Sequence, residues 1–198
     1  MTRLIVWRHG RTAWNETRRV QGHTDIDLDE VGAVQAAQSA ALLADRRLDL
    51  IVSSDLKRAA STAQALSDLT GLPVRLDPRL RERYFGPWQG LTDVEIRERY
   101  PEDAGRWLAD SIGIPEVETV DDMAKRVSSA FRDVADEVGA GTAVLVTHGG
   151  SARVGIGTLL GWPSEVWRTL AALHNCHRSE LVYNLARGGW QLEAHNLG

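Results

Sequence analysis

The sequence of 198 residues has a single cysteine, Cys176, so no disulfide can form within the chain. A lone cysteine is typical of proteins in a reducing compartment, and we expect a cytoplasmic protein. Long apolar runs are scarce as well. The run closest to the N-terminus, Leu4–Trp7, is far too short for a signal peptide or a membrane span, so we expect no membrane partner.

An excess of positive charge is also missing. The chain has 23 Lys and Arg against 27 Asp and Glu, which gives a net charge of −4. Proteins that bind nucleic acids usually carry a basic patch or stripe, so we expect no nucleic-acid partner. We find no linker, repeat or low-complexity segment. The length suits one domain over residues 1–198, which would bury roughly 70% of the unfolded chain's surface.

Strand-like and helix-like patterns alternate along the chain. Strands are predicted over 3–8, 48–53, 72–76, 143–147, 179–185 and 190–194. Helices are predicted over 30–44, 57–69, 92–99, 102–109, 121–138 and 151–160, with polar loops over 9–27 and 77–90. This alternation predicts an α/β fold with a mostly parallel central sheet, helices on both faces and a C-terminal hairpin.

Polar residues suited to chemistry follow several of these strands. Arg8-His9-Gly10 ends the first strand, and Arg58 lies just beyond the second. Glu82 follows the third strand, and His148-Gly149-Gly150 follows the strand at 143–147. In an open α/β sheet, ligands bind where loops leave the carboxyl ends of the strands. We therefore expect two imidazoles, two guanidinium groups and one carboxyl group to meet at one edge of the sheet.

Such a set of side chains suits the transfer of a phosphoryl group. Arginine matches phosphate oxygens with a rigid fork that keeps its charge, and each charged contact contributes about 1.5–3 kcal/mol. A neutral imidazole can form a covalent intermediate with the phosphoryl group. A carboxylic acid can protonate the leaving alkoxide and later accept a proton from water. Because we find no carboxylate cluster of the metal-binding kind, we expect no metal and no cofactor.

Four ordered blocks of the sequence resemble the histidine phosphatase superfamily, also called phosphoglycerate mutase-like. They are Arg8-His9-Gly10, Ser53-Ser54 with Arg58-Ala59, Glu82 ahead of Gly86, and His148-Gly149-Gly150. The likeness runs from residue 3 to the final hairpin. It implies catalysis by His9, Glu82, Arg8, Arg58 and His148. It also implies that the phosphate is bound by Arg8, Asn15, Gln21, Gly22, Arg58, His148 and the backbone of Gly149.

Within this resemblance, His9 is the phosphorylated nucleophile, and its second ring nitrogen is expected to donate to a backbone carbonyl. Glu82 is the proton donor and acceptor, with Glu95 and Glu98 as alternatives just downstream. Three arginines of the first loop either recruit substrate anions or face solvent, namely Arg11, Arg18 and Arg19. His174 and His177, with Cys176 between them, lack the further ligands that a closed metal site needs.

The segment 80–90 resembles the mutases of this superfamily closely, down to Arg83. Beyond it the likeness fails. Asp93 stands where the mutases carry a substrate-binding lysine, and Trp107 precedes Leu-Ala-Asp at 108–110 where they carry paired arginines. Without those cations a doubly anionic intermediate can escape, so we predict a phosphatase for small phosphomonoesters. A phosphoglycerate mutase and a non-catalytic module that binds phosphorylated ligands are the alternatives.

Among the phosphatases, the segments 19–22, 51–56 and 88–92 resemble the actinobacterial glucosyl-3-phosphoglycerate phosphatases. This narrower likeness implies a phosphoglycerate-type or sugar phosphate substrate. The α-ribazole phosphatases and the broad-specificity phosphatases share much of the same pattern. The oligomeric state is open, and a homodimer is one expectation.

Overall fold

The computed structural model describes residues 1–108 and 114–198. Its centre is a six-stranded sheet formed by β1 Arg3–Arg8, β2 Leu50–Ser53, β3 Val74–Leu76, β4 Thr142–Thr147, β5 Arg178–Asn184 and β6 Gly189–Leu197. The strand order is β3-β2-β4-β1-β5-β6. The first four strands of this order are parallel, whereas β5 and β6 run antiparallel to their neighbours. The mostly parallel sheet and the C-terminal hairpin are therefore confirmed.

Helices cover both faces of the sheet. They are α1 Ala13–Glu16, α2 Glu30–Ala44, α3 Lys57–Thr70, α4 Asp93–Arg99, α5 Pro101–Leu108, α6 Val120–Val138 and α7 Gly149–Leu159. Short 3-10 helices occupy Pro78–Leu80, Gly86–Trp88 and Ser164–Thr169. No helix within residues 1–108 and 114–198 has the length and apolarity needed to cross a membrane.

The alternation of side chains along β1 divides the hydrophobic core into two layers. Ile5 and Trp7 pack with apolar residues of α2 and α3. Leu4 and Val6 point to the other face of the sheet, where α6 and α7 pack. All four side chains are fully buried, which is why this strand reads as a continuous apolar run in the sequence.

The structure corrects the sequence-based boundaries at several points. The loop predicted over 9–27 contains the short helix α1, whose start is capped by reciprocal hydrogen bonds between Thr12 and Asn15. Helix α5 begins at Pro101, a favoured first position because proline lacks an N–H that the first turn would leave unpaired. The predicted last residue of that helix, 109, lies outside the described residues. Strand β6 continues to Leu197.

Candidate active site

A cavity of about 270 Å³ opens at the carboxyl ends of β1 and β4. All nine site residues predicted from the sequence line it: Arg8, His9, Asn15, Gln21, Gly22, Arg58, Glu82, His148 and Gly149. Six further residues complete the lining, namely Arg19, Val20, Phe85, Gly150, Arg153 and Ala172. A larger cavity of about 520 Å³ lies at the opposite end of the sheet, near Asp49 and Thr142, and contains none of the predicted residues.

His9 directly follows β1, and its backbone N–H donates to the Thr147 carbonyl at 3.0 Å, which holds it beside β4. The side chain is buried, and its Nδ1 lies 2.7 Å from the carbonyl oxygen of Gly10. A carbonyl only accepts, so Nδ1 carries the proton and donates it to Gly10. The neutral ring then has its lone pair on Nε2, as expected for a nucleophile with a fixed tautomer.

Electrostatics keep the His9 ring neutral. Burial lowers its pKa well below the usual 6.5, and the positive charges of Arg58 and Arg8 lower it further. The hydrogen bond to Gly10 raises the pKa but does not offset these effects. His9 is therefore unprotonated at neutral pH, the state in which an imidazole can attack phosphorus.

His148 is the N-cap residue of α7, and its ring centroid lies 5.0 Å from that of His9. Arg58 donates from Nε to His148 Nδ1 at 3.3 Å, so that nitrogen carries no proton. The proton of the neutral ring therefore sits on Nε2, which donates to Ser54 Oγ at 2.9 Å. Burial and the charge of Arg58 lower the pKa of His148 well below its usual value.

The two predicted arginines bring positive charge into the cavity without a matching carboxylate. Arg58 is fully buried and donates to the carbonyls of Gly22 and Thr24 at 2.8 and 2.9 Å. Burial lowers its pKa to about 10. Arg8 donates to the Leu173 carbonyl at 2.6 Å, while its buried Nε has no partner. Neither arginine forms an ion pair within the described residues, so both remain available to an anion.

Glu82 is held by backbone groups on the same cavity wall. Its Oε2 accepts from the N–H of Gly150 at 2.9 Å, and its Oε1 accepts from the N–H of Arg83 at 2.8 Å. A Cβ on Gly150 would lie 2.5 Å from Oε1, so only glycine lets the carboxylate approach this closely. The alternative Glu95 instead pairs with Arg19 and caps α4. The geometry favours Glu82 as the carboxylate of the site.

The remaining predicted residues form the loop side of the cavity. Asn15 accepts at Oδ1 from the N–H of Thr12, and Gln21 has a buried Oε1 without a partner among the described residues. Gly22 has a φ of +53°, and a Cβ there would lie 2.2 Å from Gln89 Oε1. A glycine is therefore required at this turn, and its carbonyl accepts from Arg58.

Sequence reasoning missed two polar residues of the cavity region. Arg153 lies on α7, and its buried Nε has no partner among the described residues. Its only sequence signal is its position one helical turn after Gly149, which places both on the same side of the helix. Ser54 belongs to a recognised block, but its bond to His148 was not foreseen.

Arg83 and Cys176, two other residues discussed from the sequence, do not line this cavity. Arg83, the last residue of the mutase-like segment, stacks over Trp107 at 4.6 Å and donates to the Glu118 carbonyl. Of positions 108–110, where the mutases carry paired arginines, 109 and 110 lie outside the described residues. Cys176 is buried, and burial raises the pKa of its thiol to about 12. No cluster of metal-binding side chains occurs in the part of the chain that the structure describes.

Comparison with known proteins assigns the family. Residues 4–198 match the histidine phosphatase superfamily (branch 1). The chain belongs to this superfamily. It is 37% identical to a glucosyl-3-phosphoglycerate phosphatase of Mycolicibacterium vanbaalenii, over 98% of this chain and 94% of the relative. It is 33% identical to a probable phosphoglycerate mutase, GpmB, of Yersinia pestis, over 98% and 92% of the two chains.

A solved structure gives the same grouping. The mycobacterial glucosyl-3-phosphoglycerate phosphatase complexed with VO3 superposes on this histidine phosphatase with a TM-score of 0.91, at 34% identity and with both chains fully covered. The predicted family, fold and phosphatase activity are therefore confirmed. The mutase alternative has less support, since the relatives named as phosphatases are the more similar in sequence.

Proposed function

We propose that this histidine phosphatase hydrolyses small phosphomonoesters through a phosphohistidine on His9. The observation that carries the proposal is the state of that ring: neutral, with Nδ1–H donated to Gly10 and the Nε2 lone pair left for attack. Beside it lie the buried guanidinium group of Arg58 and the partly buried one of Arg8, both without carboxylate partners among the described residues. They would bind the phosphoryl oxygens and stabilise the charge of the transition state.

In the first step, His9 Nε2 forms a bond to phosphorus while the bond from phosphorus to the ester oxygen breaks. The protonated carboxyl group of Glu82 gives its proton to the leaving alkoxide, so that the alcohol departs neutral. His148 would donate Nε2–H to a phosphoryl oxygen in exchange for its bond to Ser54. Asn15, Gln21 and the backbone of Gly149 complete the phosphate site.

In the second step, water attacks the phosphohistidine. The Glu82 carboxylate takes a proton from this water, the bond between phosphorus and nitrogen breaks, and His9 returns to its neutral form. Inorganic phosphate then leaves, and Glu82 is protonated for the next turnover. The position of Glu82, fixed by the N–H groups of Gly150 and Arg83, suits both proton transfers.

A phosphoglycerate-type ester is the proposed substrate class. Two observations support this proposal. The relatives that are 37–38% identical are glucosyl-3-phosphoglycerate phosphatases. The cavity of about 270 Å³ is small and carries several arginines, which suits a compact substrate with more than one negative charge. The net charge of −4 gives no support for a nucleic-acid ligand.

Rapid-quench labelling tests the proposed intermediate. A ³²P-labelled ester should leave acid-labile phosphate on the wild-type chain within one turnover, and peptide mapping should place it on His9. His9→Gln should lose both the label and the hydrolysis, because glutamine cannot act as the nucleophile. His195→Gln is the matched control, since His195 lies outside the cavity lining, and it should retain both.

Two results would overturn this proposal. Undiminished hydrolysis by His9→Gln would exclude a covalent step on that residue. Phosphoglycerate isomerisation that outpaces phosphate release would show a mutase instead of a phosphatase.

A further inference from the structure

One arginine in the wall of the cavity has no role in the proposed phosphate chemistry. Arg153 lines the cavity from α7, and its buried Nε finds no acceptor. Within the described residues it forms no ion pair and no hydrogen bond. A half-buried arginine normally satisfies its donors with carboxylates or carbonyls, because unpaired buried donors cost free energy. An acidic group from outside the protein would satisfy them.

The neighbours of Arg153 indicate which part of a substrate it faces. Arg153 and Glu82 line the same cavity, and Gly150, three residues before Arg153 on α7, donates its N–H to Glu82 Oε2. The charge of Glu82 also raises the pKa of Arg153, although burial lowers it more. Glu82 is the group proposed to protonate the leaving oxygen, so it faces the alcohol side of the ester. Arg153 therefore faces the leaving group, not the phosphoryl group.

The helix geometry supports the same placement. A Cβ on Gly149 would lie 3.7 Å from the guanidinium of Arg8, so this turn of α7 adjoins the phosphate site. Arg153 follows four residues later on the same side of the helix, about 6 Å further along its axis. A substrate with an acidic group a few bonds from its phosphate would reach from one turn to the next.

We propose that Arg153 binds a carboxylate on the leaving group of the substrate and thereby selects acidic phosphate esters, as phosphoglycerates are. The inference rests on the proposed function, because it takes the orientation of the ester from the role of Glu82. The planar fork of a guanidinium binds a carboxylate with two parallel hydrogen bonds, which gives direction as well as charge.

The surrounding charge also suits an anion at this position. Arg8 and Arg58 line the same cavity as Arg153, and neither of them forms an ion pair within the described residues. Both oxygens of Glu82 accept backbone hydrogen bonds, and within the described residues neither accepts one from Arg153. A dianionic phosphate with an added carboxylate complements this field better than a neutral alcohol does.

A pair of ligands that differ only in the carboxylate tests the inference. 3-Phosphoglycerate and glycerol 3-phosphate share a skeleton, but one ends in a carboxylate and the other in a hydroxymethyl group. Each is measured as an inhibitor of 4-nitrophenyl phosphate hydrolysis. In Arg153→Gln the inhibition constant of 3-phosphoglycerate should rise about ten- to hundredfold, the range of a hydrogen bond to a charged group. That of glycerol 3-phosphate should change by less than about threefold.

Two further variants sharpen the comparison. Arg153→Lys keeps the charge without the fork and should recover part of the selectivity. Arg132→Gln removes the same charge from an exposed position of α6 that does not line the cavity, and it should leave both inhibition constants and the turnover unchanged.

Other outcomes would overturn the inference. An equal rise of both inhibition constants in Arg153→Gln would show a general effect on the phosphate site. An altered pH–rate profile with an unchanged ratio of the two constants would show that Arg153 acts through Glu82. If the wild-type chain releases phosphate from neither 4-nitrophenyl phosphate nor 3-phosphoglycerate, the proposed function fails. Calorimetric titration of both ligands into His9→Gln, with and without Arg153→Gln, then still decides whether Arg153 distinguishes them.

Discussion

Three arginines of the cavity and Arg126 beside it differ in what neutralises their charge. Arg126 forms a two-pronged ion pair with Glu118, at 2.6 and 2.7 Å, and also donates to three backbone carbonyls. Of the four arginines that line the cavity, Arg19 pairs with Glu95, whereas Arg8, Arg58 and Arg153 form no ion pair within the described residues. The first arrangement stabilises the fold around the site, whereas the second provides positive charge for a ligand.

The pKa values of Arg58 and Arg81 show what a counter-charge does to a guanidinium group. Burial lowers the pKa of Arg58 to about 10. Outside the cavity lining, the hydrogen-bonded carboxylate of Asp55 raises the pKa of Arg81. A buried cation without a counter-charge destabilises the folded state. The positive charge that the surrounding fold holds at this site complements the negative charge of a phosphate.

The largest effect is expected when a cavity arginine loses its charge. In Arg8→Gln, kcat/KM for a phosphomonoester should fall by about 10²–10³, as for other single donors to a transition-state oxygen. The unfolding free energy should change by less than about 1 kcal/mol, because Arg8 makes one hydrogen bond, to Leu173, and its desolvated charge is removed. Steady-state kinetics and urea denaturation of the same preparation measure the two quantities.

If this prediction fails, the distinction between the unpaired arginines of the cavity and the ion-paired arginines is wrong. A stability loss of several kcal/mol with retained activity would place Arg8 among the structural arginines. Arg8→Lys is the informative companion, since it keeps the charge but loses the buried Nε donor.

Much of the fold follows from local patterns in the sequence. The apolar run of β1 and the period of α6 were recognisable because each is set by burial on the sheet or on one helix face. The helix α1 was not, because its four residues have no buried face and depend on one capping interaction at Thr12. Short elements of this kind carry too few residues for a periodic signal.

Some site residues could be predicted from the sequence, whereas others could not. His9 and His148 stand directly after strands, so the sheet topology brings them together. Arg153 could not be recognised in this way, because its role depends on which neighbours leave its donors unpaired. The bond between Ser54 and His148 spans 94 positions and depends on ring orientation, which no sequence spacing reveals.

A second prediction concerns Arg126 and its ion pair with Glu118. In Arg126→Gln, the unfolding free energy should fall by about 2–3 kcal/mol, because Glu118 loses a half-buried partner and three carbonyls lose a donor. Urea denaturation measures this loss. Activity should fall less than in Arg8→Gln, since Arg126 contacts the backbone of Glu82 but does not line the cavity. The reverse order of the two activities would contradict the division.

The smallest effect concerns the neutral partner of Arg58. Arg58 can donate to His148 Nδ1 only while that nitrogen is unprotonated, and Ser54 favours this tautomer by accepting from Nε2. In Ser54→Ala, kcat/KM should fall about three- to tenfold, the size of one neutral hydrogen bond. Ser53→Ala is the matched control, because its hydroxyl donates to a backbone carbonyl instead.

Long-range ¹H–¹⁵N spectra of the imidazole groups give a readout that simple loss of packing would not alter. In the wild-type chain, His148 should carry its proton on Nε2 and His9 on Nδ1. Both rings should stay neutral as the pH falls through 6.5, since their pKa values lie well below that figure. In Ser54→Ala the signal of His148 should shift toward a mixture of tautomers while that of His9 stays. An unchanged His148 spectrum would contradict the role of Ser54. It would mean that the hydrogen bond from Arg58 to His148 Nδ1 is enough to keep the proton of His148 on Nε2.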